Sequence, residues 1–447
     1  MELQALKQAL VCAAEKAGIK EYEIYYQKSE DINAETFRDE ISGFSSGVSG
    51  GICFRCIVNG KMGYASGELM TEEAMADLVR RAVENAKCID SDDVAVIFAG
   101  SPAYAELPQT EVVLADPTTI KDMAMKLQQA MYQASDKVAD GTQSAAVSMT
   151  SEVYLYNSSG LELSRRVGAT GAYASPVLRE GEGAHSAFEF GQGASYEELK
   201  DLPKKAIDAA AAQFGAGLVS TGKYDVIFDG KQFRSLLSAF ASAFSAKNAQ
   251  VGLSRLAGKE GEVIAASCLS ITDDPMRPES PMKAAFDGEG VATYKKQVVE
   301  NGVLKTLLYD LTTAAKAGKA STGNGQKAGY SAPVGIAPYN FGVAPGNTSE
   351  EELFAKVSEG IYITEMKGLH AGANAVTGDF SIESAGFMIR CGKKAEAVKS
   401  FTVAGNFFAL LKEIDTLGDT VKWGIPFGYT VFGSPDVLVR QMSIAGK

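Results

Sequence analysis

Histidine is almost missing from this 447-residue chain. It occurs twice, as His185 and His370, and neither has a second histidine at metal-ligand spacing. A hydrolytic zinc centre takes three protein ligands and keeps one position open, so the chain by itself lacks the material for such a centre. The six cysteines (Cys12, Cys53, Cys56, Cys88, Cys268, Cys391) are scattered, which suits reduced thiols in a cytoplasm better than a disulfide framework. No apolar run approaches the roughly 18 residues of a membrane helix. The apolar stretch 9–14 is closely flanked by Lys7, Glu15 and Lys16 and reads as an amphipathic helix, not a signal peptide. Excess positive charge is lacking too. A net charge of −12 argues against a nucleic-acid backbone as partner, because phosphate binding needs a basic face.

What is present is ordinary globular material, 46% apolar and 22% charged, in a chain too long for one hydrophobic core. Residues 3–17 have a helical pattern ending at Gly18. Tyr22, Ile24 and Tyr26 alternate with polar neighbours, the period of a half-buried strand. Residues 52–58 and 61–66 flank Asn59-Gly60, a hairpin signal because both positions tolerate positive φ. Met75, Leu78, Val79, Ala82, Val83 and Ala86 mark one face of a helix from near Thr71. Asp116-Pro117 opens another helix, strands are predicted over 144–156 and 161–174, and Ser195 with Glu198 predicts a capped helix to residue 214. A strand at 224–228 and a helix over 231–245 then lead into short strands separated by Gly, Asp and Asn turns. The expected fold class is α+β. It comprises an N-terminal α+β domain with an antiparallel sheet (1–110), a central α/β region of helix and strand (111–221), and a strand-rich C-terminal domain (222–447).

Motifs that carry chemistry are weak one by one. Cys53-Phe-Arg-Cys56 lies in a strand pattern, where residues three apart point to opposite faces and cannot share a metal. His185 has only Glu189 four residues on, and His370 sits in a glycine-flanked loop. Asp273-Asp274 and Asp287-Gly-Glu-Gly290 supply paired acids, but glycine-flanked acids more often form turns. Ser321-Thr-Gly-Asn-Gly325 lacks the Lys-Ser/Thr of a P-loop, and no G-x-S-x-G elbow is present.

Taken together, several segments carry a resemblance. Phe286-Asp-Gly-Glu-Gly-Val-Ala-Thr293, Val299-Glu-Asn-Gly-Val-Leu-Lys305, Asn374-Ala-Val-Thr-Gly-Asp-Phe-Ser381, Gly386-Phe-Met-Ile-Arg390, Phe401-Thr-Val-Ala-Gly-Asn406 and Ile414-Asp-Thr-Leu-Gly-Asp419 follow one another in the order and spacing of the TldD/PmbA family. This family is also called modulator of DNA gyrase proteins, and the resemblance runs from about residue 20 to the end. It implies one of two kinds of subunit. TldD-like subunits hold a catalytic zinc with an H-E-x-x-x-H helix and a downstream cysteine. PmbA-like subunits, also called TldE, lack these and pair with the first to make a peptidase acting on peptides and unfolded chains.

Here the corresponding helix, Arg234–Ser245, contains no His, Cys, Asp or Glu, and Phe233, Leu236, Leu237, Phe240 and Phe244 space as an apolar stripe. Where the resemblance puts the third ligand, after Asp379-Phe380, the chain has Ser384. The expectation is therefore a PmbA/TldE-like subunit with no catalytic or metal residues of its own. Zinc is expected in a TldD-like partner of a heterodimer, and the substrate is a peptide or unfolded protein. A homodimeric peptide-binding or chaperone-like protein is the alternative. Asn157, Thr377, Gly378, Asp379 and Ser384 are the expected peptide contacts, on strands that would offer edges to an extended chain. No nucleic acid or membrane is expected as a partner, and the expected compartment is the cytoplasm.

Overall fold

The computed structural model describes residues 2–107, 112–181, 183–426 and 428–447. The expected boundary at 110/111 lies outside the described residues. Six antiparallel strands build the first sheet, in the order Lys61–Gly67, Glu40–Val58, Tyr22–Phe37, Gln143–Asn157, Glu162–Ser175, Glu189–Gln192. The Asn59-Gly60 turn has φ of 53° and 77°, as its sequence requires. Strand Tyr22–Phe37 pairs along nearly its whole length with Gln143–Asn157, so residues far apart in the chain share one sheet.

Strand periodicity sorts the side chains of this sheet. Tyr22 and Ile24 face helices Leu3–Lys16 and Glu72–Cys88. Ile32 and Ala34, further along the same face, meet helices Pro117–Ala134 and Leu202–Ala211. Tyr25 points the other way, into a cluster with Cys53, Val153, Leu155 and Phe286. Cys53 and Cys56 thus belong to opposite faces, as the strand period predicts.

The C-terminal region is strand-rich, as expected, and its main sheet closes on itself. Lys393–Asn406, Asp379–Arg390, Glu359–Lys367, Gly222–Phe228 and Val437–Ala445 are neighbours in that order, and the last also pairs with the first, giving a small barrel. A second six-stranded sheet includes Ile271–Asp273, Asn340–Val343, Val431–Ser434 and Lys422–Trp423. Helix Gly230–Phe240 packs against strands Val431–Ser434, Lys422–Trp423 and Glu359–Lys367. The helix predicted over 231–245 is in fact interrupted. After Phe240 the chain tightens into a single 3-10 turn, Ala241–Phe244, and Ser245 is extended before helix Ala246–Gln250. The cause is tertiary: Leu308 N–H donates to the Phe244 carbonyl and its own carbonyl accepts Ala246 N–H, both at 2.9 Å, so these groups leave the helix ladder. The helix from Ser195 likewise divides, into Tyr196–Leu199 and Leu202–Ala211.

Buried charge joins the N-terminal sheet to the C-terminal region. Arg55 makes a two-pronged pair with Glu23 (2.7 and 2.9 Å) and reaches Glu289 at 3.4 Å. Asp287 accepts backbone N–H bonds from Glu289, Val291 and Gly325. Arg165 lies against the rings of Phe286 and Tyr429, at 4.8 and 4.3 Å from their centroids.

Candidate functional site: the cleft beside helix Gly230–Phe240

Helix Gly230–Phe240 turns Phe233, Leu236, Leu237 and Phe240 fully into the core. Phe240 stacks on Phe407 at 4.5 Å with the planes 9° apart. Each such side chain contributes about 1.5–3 kcal/mol by leaving water, so this face is committed to packing. The opposite face carries Arg234, Ser235 and Ser238 into a cleft of about 790 Å³. Leu369, His370, Ala373 and Ala375 form one further wall, and Gly424, Ile425, Thr430 and Phe432 the other.

A charged knot holds the start of the helix. Asp229 caps it through Lys231 N–H at 2.7 Å and accepts the Tyr362 hydroxyl at 2.7 Å. Lys422 bridges Asp229 and Asp436, at 2.7 and 2.6 Å, and Asp436 accepts Gly230 N–H at 2.7 Å. Burial alone raises the Asp229 carboxyl, but Lys422 and the hydrogen bonds outweigh it and leave Asp229 below its ordinary value. Asp436 is pushed up, by burial first and by Asp229 as well. Position 230 must be glycine, since a Cβ there would stand 2.3 Å from the Ser434 carbonyl oxygen.

The lining does not fit a zinc ion. Arg234 is the most prominent polar group on the helix's cleft side, and its guanidinium donates to the carbonyls of Lys422 (3.1 Å) and Trp423, placing a fixed positive charge there. His370 is the one imidazole in the lining, with no thiolate or carboxylate beside it there. Among the described residues, no group of three or more His, Cys, Asp or Glu is arranged to hold a metal.

The residues expected to contact peptide are not brought together. Asn157 is fully buried; its amide donates to the Phe98 carbonyl at 2.5 Å and its oxygen accepts from Ser159 and Leu161, so it organises a turn. Ser384 is also buried and bonds the Ile382 carbonyl at 3.1 Å, away from the cleft lining. Thr377, Gly378 and Asp379 form a loop fastened by Asn406, which donates to the Thr377 carbonyl and to Asp379, both at 2.9 Å. This loop follows Ala375 and so adjoins the cleft. Strand Gln143–Asn157 has ladder partners on both sides, whereas Asp379–Arg390 pairs with Lys393–Asn406 along its length but with Glu359–Lys367 only from Glu383 to Arg390, leaving a single bridge from Ala373 to Phe380 on that side of residues 379–382. A longer open edge lies in the first sheet. Strand Glu40–Val58 pairs with Lys61–Gly67 only from Ile52 onward, so residues 41–51 have, among the described residues, ladder partners in Tyr22–Phe37 alone. Neither His185 nor the Asp287/Glu289 pair lines the cleft with His370; His185 sits edge-on to Phe214, and both acids are buried.

Arg234, Lys422, Asp229 and Asp436 had no motif to announce them. Their positions run from residue 229 to residue 436 of the sequence, and only the start of the helix after Asp229 was a readable signal.

A strand-rich barrel fused to a long antiparallel sheet carries, beside helix Gly230–Phe240, a cleft in which no set of metal-ligating side chains converges among the described residues. The sequence matches three family models in order: PmbA/TldA metallopeptidase domain 1 over residues 22–86, the central domain over 113–214 and the C-terminal domain over 221–446. The chain belongs to the PmbA/TldA (TldD/PmbA) family. It is 28% identical to an uncharacterised protein of Methanocaldococcus jannaschii, over 93% of this chain and 95% of that one. It is 25% identical to a metalloprotease PmbA homologue of Haemophilus influenzae, over 99% and 97%. Among solved structures, a Thermotoga maritima protein described as a candidate modulator of a DNA gyrase superposes with a TM-score of 0.89 at 28% identity, covering 99% of this chain and 100% of that one. TldE from Thermococcus kodakarensis shares the fold with the same TM-score and coverage at 24% identity.

Proposed function

We propose that this chain is the metal-free, PmbA/TldE-type subunit of a two-subunit zinc metallopeptidase of the cytoplasm that processes peptides and unfolded proteins. A TldD-type partner supplies the zinc and the general base, and this chain supplies a wall of the chamber and support for the partner's fold. The observation that carries the reading is the helix Gly230–Phe240: where the family's catalytic subunits place ligands, it presents Arg234, Ser235 and Ser238. The open edge at 41–51 supports pairing. It has neither a charge nor a proline over eleven residues (Ile-Ser-Gly-Phe-Ser-Ser-Gly-Val-Ser-Gly-Gly), and a bare edge of that kind is normally covered by another strand.

The test is co-expression with a homologue from the same genome that carries H-E-x-x-x-H, followed by metal analysis of each subunit and cleavage of an unfolded substrate. Zinc in the partner alone, with cleavage only in the mixture, is the expected result. Stoichiometric zinc in this chain, or cleavage by it alone, would overturn the reading. A stable homodimer that binds unfolded peptide and ignores the partner would establish the chaperone-like alternative.

A further inference from the structure

A second cavity, of about 420 Å³, lies between the N-terminal sheet and the C-terminal region and shares no lining residue with the cleft. Its volume is in the range of small-molecule sites. Its walls are apolar in part, with Met62, Val94, Val251 and Val334. Five basic side chains face three acidic ones across it, a net charge of +2 in a chain whose net charge is −12.

The acids are all engaged. Glu289 takes Arg55 at 3.4 Å and Leu311 N–H at 2.9 Å. Asp310 caps helix Leu311–Ala317 through Thr313 N–H at 2.8 Å. Asp93 pairs with Lys316. Two of the bases are left without an acid: among the described residues, neither Lys327 at the floor nor Lys247 at the rim makes an ion pair. Lys327 stands with its ammonium 4.5 Å from the centroid of the Tyr25 ring, beside the Cys53 thiol. Burial lowers its amine below the ordinary value; the Cys53 thiol and Glu23 oppose that shift and Arg55 adds to it.

The site is built around this lysine. Gly288, inside the Asp287-Gly-Glu-Gly290 motif, passes so close that a Cβ would stand 3.0 Å from the Lys327 Cγ and 2.9 Å from the Gly325 carbonyl oxygen. A largely buried ammonium with no carboxylate in direct contact among the described residues is costly even with Glu23 and the Cys53 thiol in its surroundings, and an anion brought into the cavity would relieve that cost. We propose that this cavity binds a small organic anion, a carboxylate or phosphate head on an apolar body, with Lys327 as the anion's partner at the floor and Lys247 closing on it from the rim. Nothing in this inference depends on the pairing with a zinc-bearing subunit.

Calorimetric titration of the full chain with benzoate, phenyl phosphate and, as an uncharged match, benzyl alcohol tests it. At least one anion is expected to bind and benzyl alcohol to bind at least about tenfold more weakly, because charge-assisted bonds carry the affinity. Whichever anion binds tighter assigns the head group. Lys327→Met, which keeps the side-chain stem, is expected to weaken that binding about tenfold or more, and Lys247→Ala to weaken it less. Should Lys327→Met fold poorly, acetic anhydride labelling of the unaltered chain replaces it: the bound anion is expected to slow modification of Lys327 selectively. Failure of both anions to bind, equal binding by Lys327→Met, or labelling of Lys327 indifferent to the anion would each overturn the proposal.

Discussion

Lys422 shows how one side chain fixes the cleft. It is shared by two carboxylates that would otherwise face each other at the start of helix Gly230–Phe240, and its own side chain is 27% exposed. Lys422→Met is expected to destabilise the chain by about 3 kcal/mol, because it strands Asp229 and Asp436 without their cation. Urea unfolding checks this. The pH dependence follows from the direction of the Asp229 shift. A carboxyl held below its ordinary value stabilises the fold above about pH 4, and that stabilisation is lost as pH falls through its folded value. The deficit of Lys422→Met relative to the unaltered chain should therefore persist at neutrality and narrow on acidification. A deficit that grew in acid would refute the assignment. None of this was legible in the sequence, where Lys422 and Asp436 look like any surface charges; what brings them to Asp229 is the pairing of three distant strands.

At the scale of the element, the cleft helix has two faces with opposite sensitivity. Phe240→Ala should cost about 3–5 kcal/mol, since it opens a void against Phe407 and Phe380. Ser238→Ala, on the exposed face, should stay within about 0.5 kcal/mol. Thermal unfolding of both, side by side, decides the matter. The apolar spacing of Phe233, Leu236, Leu237 and Phe240 was readable because a helical period survives any tertiary context. The end of the helix was not, because Leu308 takes over the backbone bonds of Phe244 and Ala246. Strand edges were beyond reach for a related reason. Alternation reports which face is buried and carries no information about whether a strand has one neighbour or two. The open edge at 41–51 suggests its own experiment: Val48→Lys, at a residue 69% exposed, should leave stability nearly unchanged yet weaken association with a TldD-type partner in size-exclusion chromatography. Unimpaired association would remove this edge from the interface.

Across the whole molecule, Arg55 couples the two halves. Arg55→Met leaves Glu23 and Glu289 buried without their shared cation and is expected to cost about 3–5 kcal/mol. The loss should be felt in both the N-terminal sheet and the barrel, so limited proteolysis should cut on both sides of the junction rather than in one half. The sequence by itself determined the fold class, the hairpin at Asn59-Gly60, the opposite facing of Cys53 and Cys56, and the lack of a ligand set on the helix after Asp229. These follow from local periodicity, turn chemistry and residue inventory, which need no knowledge of neighbours. The tertiary structure alone decided that the first sheet runs from residue 22 to residue 192, that the C-terminal strands close into a barrel, and that Asn157 and Ser384 are buried. It alone brought Arg55 to Glu289 and left Lys327 without an ion-pair partner among the described residues. Long-range strand pairing sets these distances, and no pattern within a short window encodes which distant strand a given one will meet.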